Sequence, residues 1–186
     1  IAEEIHKKIK NCKGFLPQGE EDLHKVVVLF DLEYFDFEGN IQIEPMKCEL
    51  DLIDICNKTK KIYPKDLKIV SFVEDFFTQS FLKNNYYIQQ ALYSFALYTW
   101  KKDTKYKDYE IMPFQFLVAD QLNQLEPLLF VCDTDYMEKG FSGFTWNNKY
   151  YKGIYDLMKE MSYNLKENKW GKSLFNKNNI VYLPKL

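Results

Sequence analysis

Lys47-Cys48-Glu49-Leu50-Asp51-Leu52-Ile53-Asp54 and, across the polar turn Asn57-Lys58-Thr59-Lys60, Lys61-Ile62-Tyr63-Pro64-Lys65-Asp66-Leu67-Lys68-Ile69-Val70 form the stretch whose reading decides the fold. Side chains alternate between the two faces of a strand. Lys47, Glu49 and Asp51 therefore share one side of the first segment, and Cys48, Leu50 and Leu52 the other. Asp54 has the opposite parity from Asp51 and reads as a surface charge. In the second segment Asp66 and Lys68 stand two apart and project from one face. The short turn makes the segments antiparallel neighbours and brings Asp51 and Asp66 side by side.

Two facing carboxylates repel and raise each other's pKa unless a cation lies between them. Mg²⁺ takes near-octahedral oxygen ligands, usually one or two carboxylates with water and phosphate oxygens. Asp51 and Asp66 therefore read as ligands for Mg²⁺ or Mn²⁺, with Glu49 as a further candidate. Lys68 beside them could hold an attacking water or steady charge on a phosphoryl transition state. Downstream, Tyr86, Gln89, Tyr93 and Leu97 share one helical stripe, and Ile88, Leu92 and Phe95 form an adjoining apolar one. Gln89 stands where a core contact is expected.

These residues resemble the PD-(D/E)xK nuclease superfamily, in particular its lambda-exonuclease and RecB-like branch, found among phage-encoded exonucleases. Asp51 matches the branch's first strand aspartate. Asp66-Leu67-Lys68 matches its (D/E)xK, with Pro64 ahead of it, and Gln89 with Tyr93 matches its Q-x-x-x-Y helix, extended by Tyr86. The likeness continues less specifically through Met112 to Val118 and Tyr151 to Ile154. It implies an α/β fold with a restriction-endonuclease-like core, a central mixed β-sheet flanked by helices.

The resemblance also implies a function. A deoxyribonuclease of this kind, an exonuclease, hydrolyses phosphodiester bonds with a metal-activated water. Asp51, Asp66 and the Leu67 backbone carbonyl would hold Mg²⁺ or Mn²⁺, Lys68 would serve the water or transition state, and Gln89 would orient Lys68 or the nucleophile, with Tyr86 and Tyr93 beside it. DNA is the implied partner. A recombination or single-strand-annealing partner and an oligomer are further options, and a phage-encoded chain would act in the host cytoplasm. Two positions depart from the pattern. Ile69 replaces a small hydroxyl residue, and for the acid or histidine that relatives supply from a helix before the sheet the candidates are Glu3, Glu4 and His6. The rivals are a nuclease-fold DNA-binding or assembly subunit without turnover and a restriction-type endonuclease.

Composition sets outer bounds. At 186 residues with 46% apolar content, the chain is expected to form one domain over 1–186. It begins with Ile1 where a full product begins with methionine, so part of the N-terminal helix region is expected to be absent. Net charge is -2 and all 25 basic residues are lysines. The absence of arginine removes bidentate base readout in the major groove. Cys12, Cys48, Cys56 and Cys132 have neither metal nor redox spacing and read as reduced thiols in the cytoplasm. Apolar runs such as Val26 to Phe30 are too short for a bilayer, so no membrane is expected. Lys58, Lys60, Lys61 and Lys65 beside the hairpin, and Lys101 and Lys102 after the Gln89 helix, are expected to adjoin the site from both sides as a track for the DNA backbone. Tyr150, Tyr151 and Trp170 are candidates for stacking on bases. No P-loop, H-E-x-x-H, G-x-S-x-G or G-x-G-x-x-G is present.

The expected order is a helix ending near residue 12 and strands over Val26 to Phe37, Ile41 to Cys56 and Lys61 to Val70. A helix from Val73 to Tyr98, broken near Lys83-Asn84-Asn85, comes next. Strands over Glu110 to Ala119 and Pro127 to Asp133 follow, then a helix from Lys149 to Glu167.

Overall fold

The turn at Glu38-Gly39-Asn40 closes a hairpin much longer than the average strand pair. Gly39 takes φ +85°, and Asp36 Oδ1 accepts the backbone N–H groups of Glu38 and Asn40, each at 2.9 Å. The computed structural model describes residues 2–12, 19–122 and 125–168. Strand β1 (Glu21–Phe35) pairs antiparallel with β2 (Ile41–Cys56), from Glu21↔Ile55 to Phe35↔Ile41. Strand β3 (Lys61–Val70) pairs antiparallel with β2, but only from Cys56↔Lys61 to Leu52↔Lys65.

Beyond that point β3 is held by β5 (Gln115–Asp120) in a parallel ladder, while β4 (Glu110–Ile111) runs parallel to its start. Strand β6 (Leu128–Val131) closes the sheet antiparallel to β5, giving the order β1-β2-β3-β5-β6. The sheet is therefore mixed, and helices cover it, as the α/β reading expects.

Two helices cover opposite faces of the sheet, and the one carrying Gln89 lies on the face of the site. Helix α2 (Tyr86–Lys102) brings Ala91, Ala96 and Leu97 into a core with Leu50, Ile53, Ile55 and Ile62. Helix α1 (Ala2–Asn11) instead packs Ile5 and Ile9 on Leu117 and Ala119. Those residues alternate along β5 with Phe116 and Val118, which face Phe76, Phe81 and Tyr87. The break expected within the long helix occurs. The first piece is only the π-helical segment Phe76–Leu82, and Asn85 at φ +58° precedes α2.

The C-terminal third differs from expectation. Asn147 and Asn148, at φ +48° and +58°, make a two-residue turn joining β7 (Phe144–Trp146) to β8 (Lys149–Tyr151). The last helix, α4 (Ile154–Lys166), consequently starts after this hairpin and not at Lys149. A short helix, α3 (Asp135–Ser142), was also unanticipated. Among the described residues no helix is long and apolar enough to cross a membrane. All four cysteines are free.

Candidate active site

The β2–β3 ladder stops at Leu52↔Lys65, and one further step in the same register sets Asp51 opposite Asp66. The break coincides with a local change of face. Buried positions on β2 run Cys48, Leu50 and then Ile53, Ile55, so the inward parity changes around Asp51. On β1 the corresponding residue is Lys25, at φ +50°, flanked by the pairs His24↔Leu52 and Val26↔Leu50. Asp51 is exposed, whereas Asp66 is 1% exposed.

Burial is the main reason the Asp66 carboxyl is pushed up to about 7, and a hydrogen bond shared with Asp51 adds to it, against the opposing pull of Lys68. Lys68 Nζ lies 2.7 Å from Asp66 Oδ2. That contact is an ion pair off hydrogen-bond direction, so Oδ2 is a buried oxygen without a directed donor. Gln89 Nε2 donates to Asp66 Oδ1 at 3.4 Å, a long bond. Tyr93 stands behind Gln89 near both carboxylates and Cys48, and burial raises its phenol pKa. Tyr86 forms the floor under Lys68, whose Nζ is 4.5 Å from the ring centroid. Phe76 and Phe116 stack on Tyr86 with interplanar angles of 27°.

Asp51, Asp66, Lys68, Gln89, Tyr86 and Tyr93 are thus brought together. Other candidates are not. His6, Glu3 and Glu4 are exposed on α1, whose apolar stripe is spent on Leu117 and Ala119, the sheet face opposite to the one Asp66 and Phe116 share. Glu49 is on the solvent side of the hairpin, 3.4 Å from Lys25 Nζ. Among the described residues no third histidine, cysteine, aspartate or glutamate joins the pair as a metal-binding group.

The lysine track also needs correction. Lys65 is buried with its side chain 0% exposed and ion-paired to Asp54, so it cannot meet a DNA backbone, and Asp54 is not the expected surface charge. Lys58 contacts Glu20 at 3.6 Å and Lys61 contacts Glu110 at 3.9 Å. Lys101 donates to the Tyr109 carbonyl, and Tyr109 in turn bonds Asn57 in the β2–β3 turn. Lys58, Lys60, Lys61, Lys101 and Lys102 therefore gather at the turn end of the sheet, away from Asp66. They do not adjoin the site from both sides. Of the stacking candidates, Tyr150 is spent on Asp156, Tyr151 packs on Phe144 and Trp170 lies outside the described residues.

The metal fits these residues on one count. A buried carboxylate oxygen without a directed donor, facing a second carboxylate, suits a hard divalent cation with open positions for water and phosphate. Sequence reasoning missed the Asp54–Lys65 pair. The strand parity gave its side of the sheet but not that this side is covered.

No family model and no curated protein matches the chain. Among solved structures, one named "Putative exonuclease", from Eubacterium rectale, superposes with a TM-score of 0.50 at 16% identity, covering 100% of this chain and 62% of that one. The chain thus spans less than two thirds of that neighbour's length. The likeness is one of fold and agrees with a nuclease-like core.

Proposed function

We propose that the chain is a Mg²⁺- or Mn²⁺-dependent deoxyribonuclease, an exonuclease of the lambda-exonuclease and RecB-like type, hydrolysing phosphodiester bonds. The observation that carries the reading is the convergence of Asp51 and Asp66 just past the last rung of the β2–β3 ladder, with Asp66 Oδ2 buried and lacking a directed donor. Asp51, Asp66 and the Leu67 carbonyl would hold the cation. When bound, it would supply Lewis acidity toward a phosphate oxygen and a lowered water pKa.

The chain's own groups divide the remaining work. Gln89 fixes the Asp66 carboxylate through Oδ1. Lys68, 17% exposed and seated over Tyr86, can turn its ammonium from Asp66 toward a water or a non-bridging phosphate oxygen. A water oxygen bonds to phosphorus and gives up a proton to solvent, the P–O bond to the leaving nucleotide breaks, and the leaving oxygen takes up a proton from solvent. The name of the Eubacterium rectale neighbour supports this reading.

A second reading, a DNA-binding or assembly subunit without turnover, draws on Ile69 and on the lack of a third acid or histidine beside the pair among the described residues. Digestion decides. Purified chain with Mg²⁺ or Mn²⁺ is expected to degrade end-labelled linear DNA and spare closed circles, and D66N is expected to be inert. Linear duplex and single strands left intact would refute the enzyme, and nicked circles would favour an endonuclease.

A further inference from the structure

The two proposed ligands lie one step beyond the last β2–β3 rung, where no ladder hydrogen bond ties the strands. Once Asp66 gives up its proton, as cation binding requires, two carboxylates facing each other there repel and tend to part the strands. Something must hold that rung closed. On the reverse face Lys65, half of the final rung itself, reaches diagonally across to Asp54 on β2. The side chains of this pair are 0% and 2% exposed. Asp22 of β1 stands directly opposite Asp54, and Gln115 of β5 stands beside Lys65 in the parallel register. A polar row thus crosses four adjoining strands behind the site.

Burying two charges carries a desolvation cost, and an apolar pair of similar volume would often stabilise a fold as well. What an ion pair adds is a directional cross-strand attraction. Resting on the metal-site reading above, we infer that Asp54 and Lys65 are positioning residues: their buried ion pair clamps the last β2–β3 rung from behind and so holds Asp51 against Asp66 at the spacing a divalent cation requires.

The test uses the full chain and Mn²⁺ binding, measured by calorimetry at a temperature well below each variant's unfolding midpoint. K65M is expected to bind Mn²⁺ at least about tenfold more weakly than wild type, while the charge-swapped D54K/K65D recovers to within about threefold. If K65M fails to fold, D54L/K65M, which leaves no charge buried alone, is expected to show the same loss. A purely structural pair would lower the midpoint and leave the Mn²⁺ affinity of the folded chain alone, and unchanged affinity in K65M or D54L/K65M overturns the inference. If wild type binds no Mn²⁺, the metal reading fails by itself. Amide exchange at Leu52 and Lys65 then judges the clamp, which predicts faster exchange there than in β5 on losing the pair. Equal exchange overturns it.

Discussion

Two Asp–Lys pairs lie back to back on β2 and β3, and they have opposite characters. In front, Lys68 meets an Asp66 oxygen that no directed donor satisfies, beside the exposed Asp51. Behind, Lys65 and Asp54 are closed off from solvent. The residue types are the same and the positions nearly adjacent, so composition cannot separate the roles. Access and satisfaction do. A charge pair sealed on all sides can serve the fold, whereas one whose lysine reaches solvent and whose carboxylate is incompletely bonded can serve a ligand.

The largest effect should come from breaking the front pair. D66A and D51A are each expected to lower cleavage of labelled linear DNA by about 10³-fold or more, because each removes charge on which cation binding depends. Neither should unfold the chain, since Asp51 is exposed and burial disfavours the Asp66 carboxylate. A variant that keeps more than a tenth of wild-type activity would show that the carboxylates are not the ligands.

The next contrast sharpens the comparison directly. K65M strands a buried carboxylate and is expected to cost about 3–5 kcal/mol of unfolding free energy in urea. K68M should shift the unfolding midpoint little, because Asp66, already pushed up to about 7, can take a proton when its partner leaves. Activity should reverse the order, with K68M cutting kcat by about 10²-fold. Equal stability losses in the two variants would erase the distinction between front and back.

How far the sequence carried follows from which forces act locally. Period-2 alternation and a short turn are local, and they sufficed to set Asp51 beside Asp66. The helical stripe likewise delivered Gln89 and Tyr93. Whether a strand face is covered is a tertiary matter, which is why Asp54 and Lys65 read as surface charges although both are buried in the fold. His6 failed for the same reason, because Ile5 and Ile9 commit α1 to the face opposite Asp66. The β7–β8 hairpin was legible in Asn147-Asn148, a pair suited to positive φ, but asparagine also precedes helices, and Trp146-Asn147-Asn148 reads equally as the lead-in to a helix from Lys149.

The raised Asp66 pKa gives a smaller, graded effect with a definite sign. Between its ordinary 3.8 and about 7, folded Asp66 holds a proton that the unfolded chain has released. Its contribution to stability without metal is therefore present at low pH and lost as pH rises through 7. Cation binding must displace the same proton, so Mn²⁺ affinity should fall by up to about tenfold for each pH unit below 7. Unfolding midpoints and Mn²⁺ titrations between pH 5 and 8 check both trends, with D66N as the control that weakens the midpoint trend. Asp22, raised by its hydrogen bond with Asp54, adds a trend of the same sign that D66N leaves in place. A flat Mn²⁺ profile would mean that Asp66 is already ionised in the folded chain.

The smallest effect belongs to the lysines at the turn end. Lys60 ends the turn just before β3, roughly 20 Å from Asp66 at about 3.3 Å per residue of extended chain, and beyond the roughly 8 Å Debye length at physiological salt. Lys102 ends α2 beside Lys101, which is tied to Tyr109. Charges at that distance can attract DNA in general but cannot steady a phosphate at the Asp51–Asp66 pair. K60E and K102E should therefore change the KM for short linear DNA by less than about twofold at 0.15 M salt, and only modestly more in dilute buffer. K68M, by contrast, should lose activity at any ionic strength, because its contact is made within the buried site. A tenfold rise in KM for K60E would mean that DNA crosses the turn end on its way to the carboxylates, which would restore the lysine track the fold otherwise separates from them.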